Sequence, residues 1–291
     1  VTMAAEEIKR QIDEQLADIS RLPAMPSVVQ KVVVLASDPD ADVHKLADEI
    51  SKDAGITAGV IRLSNSAYYR PQRPVRSVQE AVVTLGLRTV KNIVLVAASH
   101  SILSQPLDGY RSEGKDIWDH SLLVAELAAR IARLKRTKVQ PDVAFTAGLL
   151  HDIGKIILSQ YFKKLYRMVA AEVEKNPAES FDSVERRIVG YDHAEIGGRL
   201  LSIWKFPAEL AEAAALQYNP EKAVASPELT SLVHVANHIA LAAGVGVDSS
   251  GMAEPLKKQA LEILRITEAD LEALYGGLPE LLGEMNDLRT V

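Results

Sequence analysis

Hydrophobic and polar positions recur at helical intervals almost everywhere along this chain. The stretch "SVQEAVVTLGLRTVKNIVLVAAS" opens with Ser77 and Glu80 at capping-box spacing and then carries apolar residues at helical period, interrupted at Gly86. "DHSLLVAELAARIARL" places Leu123, Leu127, Ile131 and Leu134 on one stripe. "SPELTSLVHVANHIALAAG" begins with Ser226 as N-cap, Pro227 at the first helical position and Glu228 beside it, and stops at Gly244. "TEADLEALYGG" sets Thr267 and Asp270 in capping positions, with Gly276 as a stop. The β-branched runs "KVVVL" and "NIVLVA" would read as strands in isolation, but their neighbours keep helical period, so helices are expected there too. The patterning therefore predicts an all-α protein.

Two polar breaks divide the pattern. "SDPDAD" reads as a turn between early helices, and "SQPLDGYRSEGKD", Ser104 to Asp116, as a connector with a boundary near residue 108. The resulting division is a helical linker or N-terminal helix over 1–21, a helical subdomain over 22–107, a core over 108–245 and a helical extension over 246–291. The chain starts at Val1, and a form with an upstream domain is as compatible with this as a form without one.

Composition narrows the function classes. Of the 291 residues, 47% are apolar and 25% charged, the profile of a globular protein. The net charge of −6 argues against a non-specific nucleic-acid binder. No cysteine is present, which excludes disulfides, thiolate zinc sites and a Cys nucleophile and agrees with a cytoplasmic location. The longest apolar runs fall far short of the roughly 20 residues that span a bilayer, so no membrane role is expected.

The chemistry-bearing residues cluster around "GLLHDIGKIIL", Gly148 to Leu158. His151 and Asp152 are adjacent, and Lys155 lies one turn beyond His151. Gly148 and Gly154 flank the pair on what reads as one helix. Each glycine costs about 1 kcal/mol against alanine in a helix, so a close approach by another backbone or a bound group is expected. His120 shares a helix face with Leu123 and Leu127 and points toward the core. His193 opens the next helix, and His234, Asn237, His238 and Leu241 fall at helical spacing on a late one. His120, His151 and Asp152 supply three ligands suited to one divalent ion (Fe, Mn, Zn or Mg), with Lys155 placed to meet phosphate charge. Buried histidines satisfied by hydrogen bonds are the plainer alternative.

The ordered blocks "LPAMPSVVQKVVVLASDPDADVHKLADEISKDAGITAGVIRLSNSAYY", "IWDHS", "GLLHDIGKIIL", "DHAEIGGRLLSIWKFP" and "LVHVANHIA" resemble the HDOD domain, a regulatory relative of the HD and HD-GYP phosphohydrolases. The resemblance implies an HD-like helical bundle with an N-terminal helical subdomain, acting at the output end of bacterial signalling chains. Carried over, it makes His120, His151, Asp152 and position 237 the metal ligands. Here position 237 is Asn237, which keeps a carbonyl oxygen but lacks the carboxylate charge. The resemblance adds His193 toward a second metal. The His-His pair that would complete it falls on Gln217 and Tyr218.

These departures favour a signalling module that binds protein partners, with an upstream sensor or receiver domain or a nucleotide as further ligands, over an enzyme. The alternative is a metal-dependent phosphohydrolase or phosphodiesterase acting on a nucleotide or cyclic dinucleotide, using Asp152 and Lys155. A third reading makes "AVVTLGLRTVKNI" a helix-turn-helix with Arg88 and Lys91 opening the second helix. "LSNSAYYRPQRPVRS" is a candidate interaction loop: Tyr68, Tyr69, Arg70, Arg73 and Arg76 are hot-spot residue types, and Pro71 and Pro74 keep the segment out of a helix.

Overall fold

The computed structural model describes residues 2–17, 26–36, 42–103, 114–176, 178–245 and 255–289. Helices dominate these residues, and no strand occurs among them. The two β-branched runs lie in helices, as their flanking period requires. Most of "SDPDAD", the boundary near residue 108 and part of the 104–116 connector lie outside the described residues.

The chain divides into two units, Val1–Pro23 with Ile102–Tyr275, and Ala24–Ser101 with Gly276–Val291. The second contains α2 (Ser27–Ala36), α3 (Val43–Ser51), α4 (Ala54–Ser64), α5 (Val78–Leu85) and most of α6 (Leu87–Leu103). Short acceptor side chains start three of these helices. Asp42 accepts from the His44 amide, Asp53 from the Ile56 amide, and Ser77 from the Glu80 amide. Glu80 reaches back to the Arg76 amide at 2.7 Å, close to the expected capping box. Gly86 holds φ +84° between α5 and α6, a conformation that favours glycine. Lys91 is only 3% exposed, so the helix-turn-helix reading loses one of the two cations it would place on DNA. Val32, Leu46, Ile50, Val60, Leu63, Ala81, Val90 and Ile93 are buried in this unit.

In the other unit, α1 (Thr2–Ala17) lies against α11 (Phe181–Val189) with Ile12 and Leu16 buried. The centre is α7 (Gly114–Lys135), flanked by α8 (Pro141–Leu150) and α14 (Pro227–Ala242). Every residue from Ala144 to Leu150 is buried, so α8 is covered on all faces. Leu123, Leu127 and Ile131 are buried as the stripe predicts, whereas Leu134 is 50% exposed. Leu134 keeps the stripe's phase but sits in the final turn of α7, where the covering ends.

The segment carrying His151 is not one helix. α8 stops at Leu150, the chain turns at His151 and Asp152, and α9 restarts over Ile153–Tyr161. Asp152, at φ −98° and ψ 11°, leaves helical geometry. His193 does open a helix, α12 (His193–Ile203), with α10 (Lys163–Lys175) and α11 lying between it and α9. The glycine expectation holds. A Cβ on Gly148 would lie 2.7 Å from the Ala125 Cα of α7, and one on Gly154 would lie 1.9 Å from the His193 carbonyl oxygen of α12. The two glycines thus let three backbones close around the His151–Asp152 turn. No helix among the described residues is long and apolar enough to cross a membrane.

Candidate metal centre

Three ligand atoms converge at that turn. One ligand atom each of His120 (α7), His151 and Asp152 lies within 4.8 Å of the others, and all three residues are buried. His120 Nε2 is 3.8 Å from Asp152 Oδ2, and His151 Nε2 is 3.4 Å from Asp152 Oδ1. The His151 Nδ1 faces the Gly148 carbonyl at 2.7 Å, and its Nε2 has no hydrogen-bond partner. Because a carbonyl only accepts, Nδ1 carries the proton and Nε2 presents a lone pair to the centre. Burial above all pushes the His151 pKa down to about 4, so the imidazole is neutral, the form a metal requires.

Asp152 is the charged member. Burial raises its carboxyl, but His151, Lys155 and His193 together outweigh that and hold it well below the usual carboxylate range. Lys155 Nζ stands 2.8 Å from Oδ2, yet neither carboxylate oxygen accepts a well-aligned hydrogen bond. A buried imidazole nitrogen and a carboxylate left with free acceptor capacity are what a divalent ion would complete. The donor set of His120, His151 and Asp152 therefore fits one metal.

His193 also reaches Asp152, its Nε2 3.3 Å from Oδ1, the oxygen that His151 Nε2 approaches. Both of its ring nitrogens are engaged. Nδ1 lies 2.6 Å from Glu185 Oε2, and Nε2 lies 2.9 Å from the Tyr218 hydroxyl. Tyr166 in turn donates to Glu185. Burial lowers the His193 pKa, but Glu185 and the contact with Asp152 overcome it and raise it to about 10, so the ring is an imidazolium. Glu185 and Tyr166 escaped sequence reasoning. Glu185 sits one position past Val184 on the apolar face of "FDSVERRIV", and nothing in that pattern marks it as a partner of a distant histidine.

The late helix divides its polar residues. Asn237 joins the centre, with Oδ1 3.0 Å from His120 Nε2. His234 does not. Its Nδ1 faces the Gln217 carbonyl at 2.7 Å, and its Nε2 accepts from the Lys257 amide at 3.0 Å. Gln217, expected only as a lost ligand, spans from the His151 carbonyl to Asn237.

The interaction loop belongs to the other unit. Tyr68 and Tyr69 pack edge to face at 4.8 Å, and Arg70, Arg73 and Arg76 are exposed. Asn65 pins the loop: its side chain accepts from the Val75 amide and donates to the Val75 carbonyl, both at 2.7 Å. A recess of about 460 Å³ opens beside Tyr68, Arg70 and Glu284, and a second of about 470 Å³ beside Arg73, Arg76 and Glu80.

Comparison with known proteins agrees with this architecture. A protein of Treponema pallidum (strain Nichols) is 24% identical over 210 residues, 72% of this chain, and the chain covers only 39% of that relative's length. A crystal structure of an HDOD domain protein from Geobacter sulfurreducens superposes with a TM-score of 0.78 at 23% identity, covering 98% of this chain and 97% of that one. One from Shewanella amazonensis SB2B, named as a candidate phosphohydrolase, gives 0.69 at 25% identity over 99% and 97% of the two chains. A Marinobacter aquaeolei VT8 protein, named for signal transduction, gives 0.77 at 22% identity over 99% of this chain and 65% of that one. The HDOD domain family model matches residues 22–220, well over half of the chain, and the chain belongs to the HDOD domain family.

Proposed function

We propose that this chain is a signalling module that acts by binding partners, and that its HD-type centre holds at most one divalent ion and does not turn over phosphate esters. The observation that carries this reading is the engagement of the residues at the second-metal positions. The Tyr218 hydroxyl oxygen accepts from the His193 imidazolium, and Gln217 uses its amide on the His151 carbonyl and Asn237. The imidazolium of His193 and the ammonium of Lys155 both face Asp152, so fixed cations supply countercharge that a second metal would otherwise bring. One ion on His120, His151 and Asp152 would supply Lewis acidity on one side only, without the paired clamp of binuclear phosphohydrolases. The Tyr68–Arg76 loop is the candidate surface for a protein partner, and an upstream sensor or receiver domain the candidate input.

Phosphohydrolase activity is the second reading, supported by the intact His120–His151–Asp152 cluster and by Lys155 beside it. The purified protein should be saturated in turn with Mn²⁺, Fe²⁺ and Mg²⁺ and offered phosphodiester and nucleotide substrates. No turnover above the level of His151→Ala and Asp152→Ala is expected. Turnover that both substitutions abolish would replace the signalling reading with the enzymatic one.

A further inference from the structure

Two backbone carbonyls fix the polarity of an amide chain that ends in the metal centre. The His151 carbonyl can only accept, so Gln217, 3.1 Å away, must present its amide nitrogen to it. That leaves Gln217 Oε1 facing Asn237 at 3.1 Å, so Asn237 must present its own nitrogen in return. Asn237 Oδ1 is thereby turned toward His120 Nε2 at 3.0 Å. At the other end, His120 Nδ1 faces the Val245 carbonyl at 3.1 Å, and the neutral tautomer that donates there carries its proton on Nδ1 and a lone pair on Nε2. Two acceptors then meet at hydrogen-bond distance inside the protein, where Gln217, His151 and Asn237 are all at most 4% exposed. Such a pair is repulsive unless something positive joins it.

We propose that Gln217 is a positioning residue that locks the Asn237 carboxamide with its oxygen toward the centre, making Asn237 a neutral oxygen ligand beside His120. The assignment rests on the single-metal reading above. An asparagine can rotate to offer nitrogen, whereas the aspartate it replaces offers oxygen whichever way it turns. The amide therefore needs a partner of fixed polarity, and the immobile His151 carbonyl supplies that polarity through Gln217. A proton on His120 Nε2 is the competing way to relieve the contact.

Zn²⁺ affinity, measured on metal-stripped full chain by competition with a chromophoric chelator, separates these. Gln217→Met keeps the side chain's length and removes its polarity. It should weaken Zn²⁺ binding by about 10- to 100-fold, the usual range for loss of a group that orients a ligand. In an Asn237→Asp background the same substitution should change affinity by much less, because a carboxylate needs no orienting. Asn237→Ala, which removes the oxygen itself, should weaken Zn²⁺ at least as much as Gln217→Met, and it decides the matter if Gln217→Met does not fold. Unchanged affinity in Gln217→Met or in Asn237→Ala overturns the assignment while leaving the single-metal reading in place. So does an equal loss in the Asn237→Asp background. Absence of Zn²⁺ binding by the unmodified chain overturns the assignment and selects the proton on His120 Nε2, while the signalling reading, which allows an empty centre, stands.

Discussion

The Gly154 Cα and the His193 carbonyl oxygen are so close that a methyl group on the glycine would overlap the oxygen at 1.9 Å. Backbone, not a flexible side chain, is in the way, so α9 and α12 would have to separate. Gly154→Ala should destabilise the fold by about 1–3 kcal/mol despite the better helix propensity of alanine. Gly283, exposed within α17 (Leu278–Glu284), is the control, since a Cβ there meets nothing within 4 Å. Gly283→Ala should be neutral or stabilising by up to about 1 kcal/mol. Urea unfolding of the two variants checks the contrast, and equal midpoints would remove the close-approach argument.

Lys155 and Asp152 form a buried ion pair at 2.8 Å. Removing the lysine leaves a buried carboxylate short of countercharge, at a cost of about 3–5 kcal/mol. A divalent ion can then replace the lost charge. Lys155→Met should melt lower than the unmodified chain in chelator and recover on adding Zn²⁺, with a larger metal-induced rise in Tm than the unmodified chain shows. Melting that is insensitive to Zn²⁺ in both proteins would argue that no ion binds beside Asp152.

His234 makes the fold sensitive to mild acid. Burial pushes its pKa from 6.5 down to about 4, and its two partners suit the neutral ring, one nitrogen donating and the other accepting. Because the folded pKa is depressed, the unfolded chain takes up a proton between those values that the folded chain refuses. The contribution to stability is complete above about pH 6.5 and declines as the pH falls toward 4, by at most about 1.4 kcal/mol per unit. Urea midpoints at pH 7 and pH 5 should differ more in the unmodified chain than in His234→Gln. A similar pH dependence in both would assign the acid response elsewhere.

Asn65 holds Val75 as a neighbouring strand would, serving its amide and its carbonyl together. Val75 is buried, so losing the clamp leaves two backbone groups short of partners, at about 1–3 kcal/mol. Asn65→Ala should speed amide hydrogen exchange at Val75 well before it alters exchange within α7. Protection of Val75 equal to that of the unmodified chain would mean that the loop is held by other contacts.

Much of the local architecture was legible from short-range chemistry. Ser77 and Glu80 cap α5 because a hydroxyl and a carboxylate three residues apart satisfy the amides that a helix start leaves over. Thr267 and Asp270 do the same at α16 (Glu268–Gly276), with Asp270 also paired to Lys135 at 2.7 Å. Ser226 precedes α14 as expected, but its side chain makes no cap bond, and its amide is taken by Glu212 from another helix. That exchange depends on which helices are neighbours, and no local pattern encodes it.

The sequence by itself determined that the chain is helical, where a few of its helices begin, that Gly148 and Gly154 need close neighbours, and that His120, His151 and Asp152 are candidates to hold a metal. These follow from periodicity, capping and side-chain type, which act within a few residues. Only the tertiary structure decided what each polar group faces. It broke the helix at His151–Asp152, gave both nitrogens of His193 to Glu185 and Tyr218, left His234 outside the centre, and made Gln217 a link between His151 and Asn237. Hydrogen bonds between residues 20 to 117 positions apart have no periodic signature, because their partners are fixed by how helices pack and not by spacing along the chain.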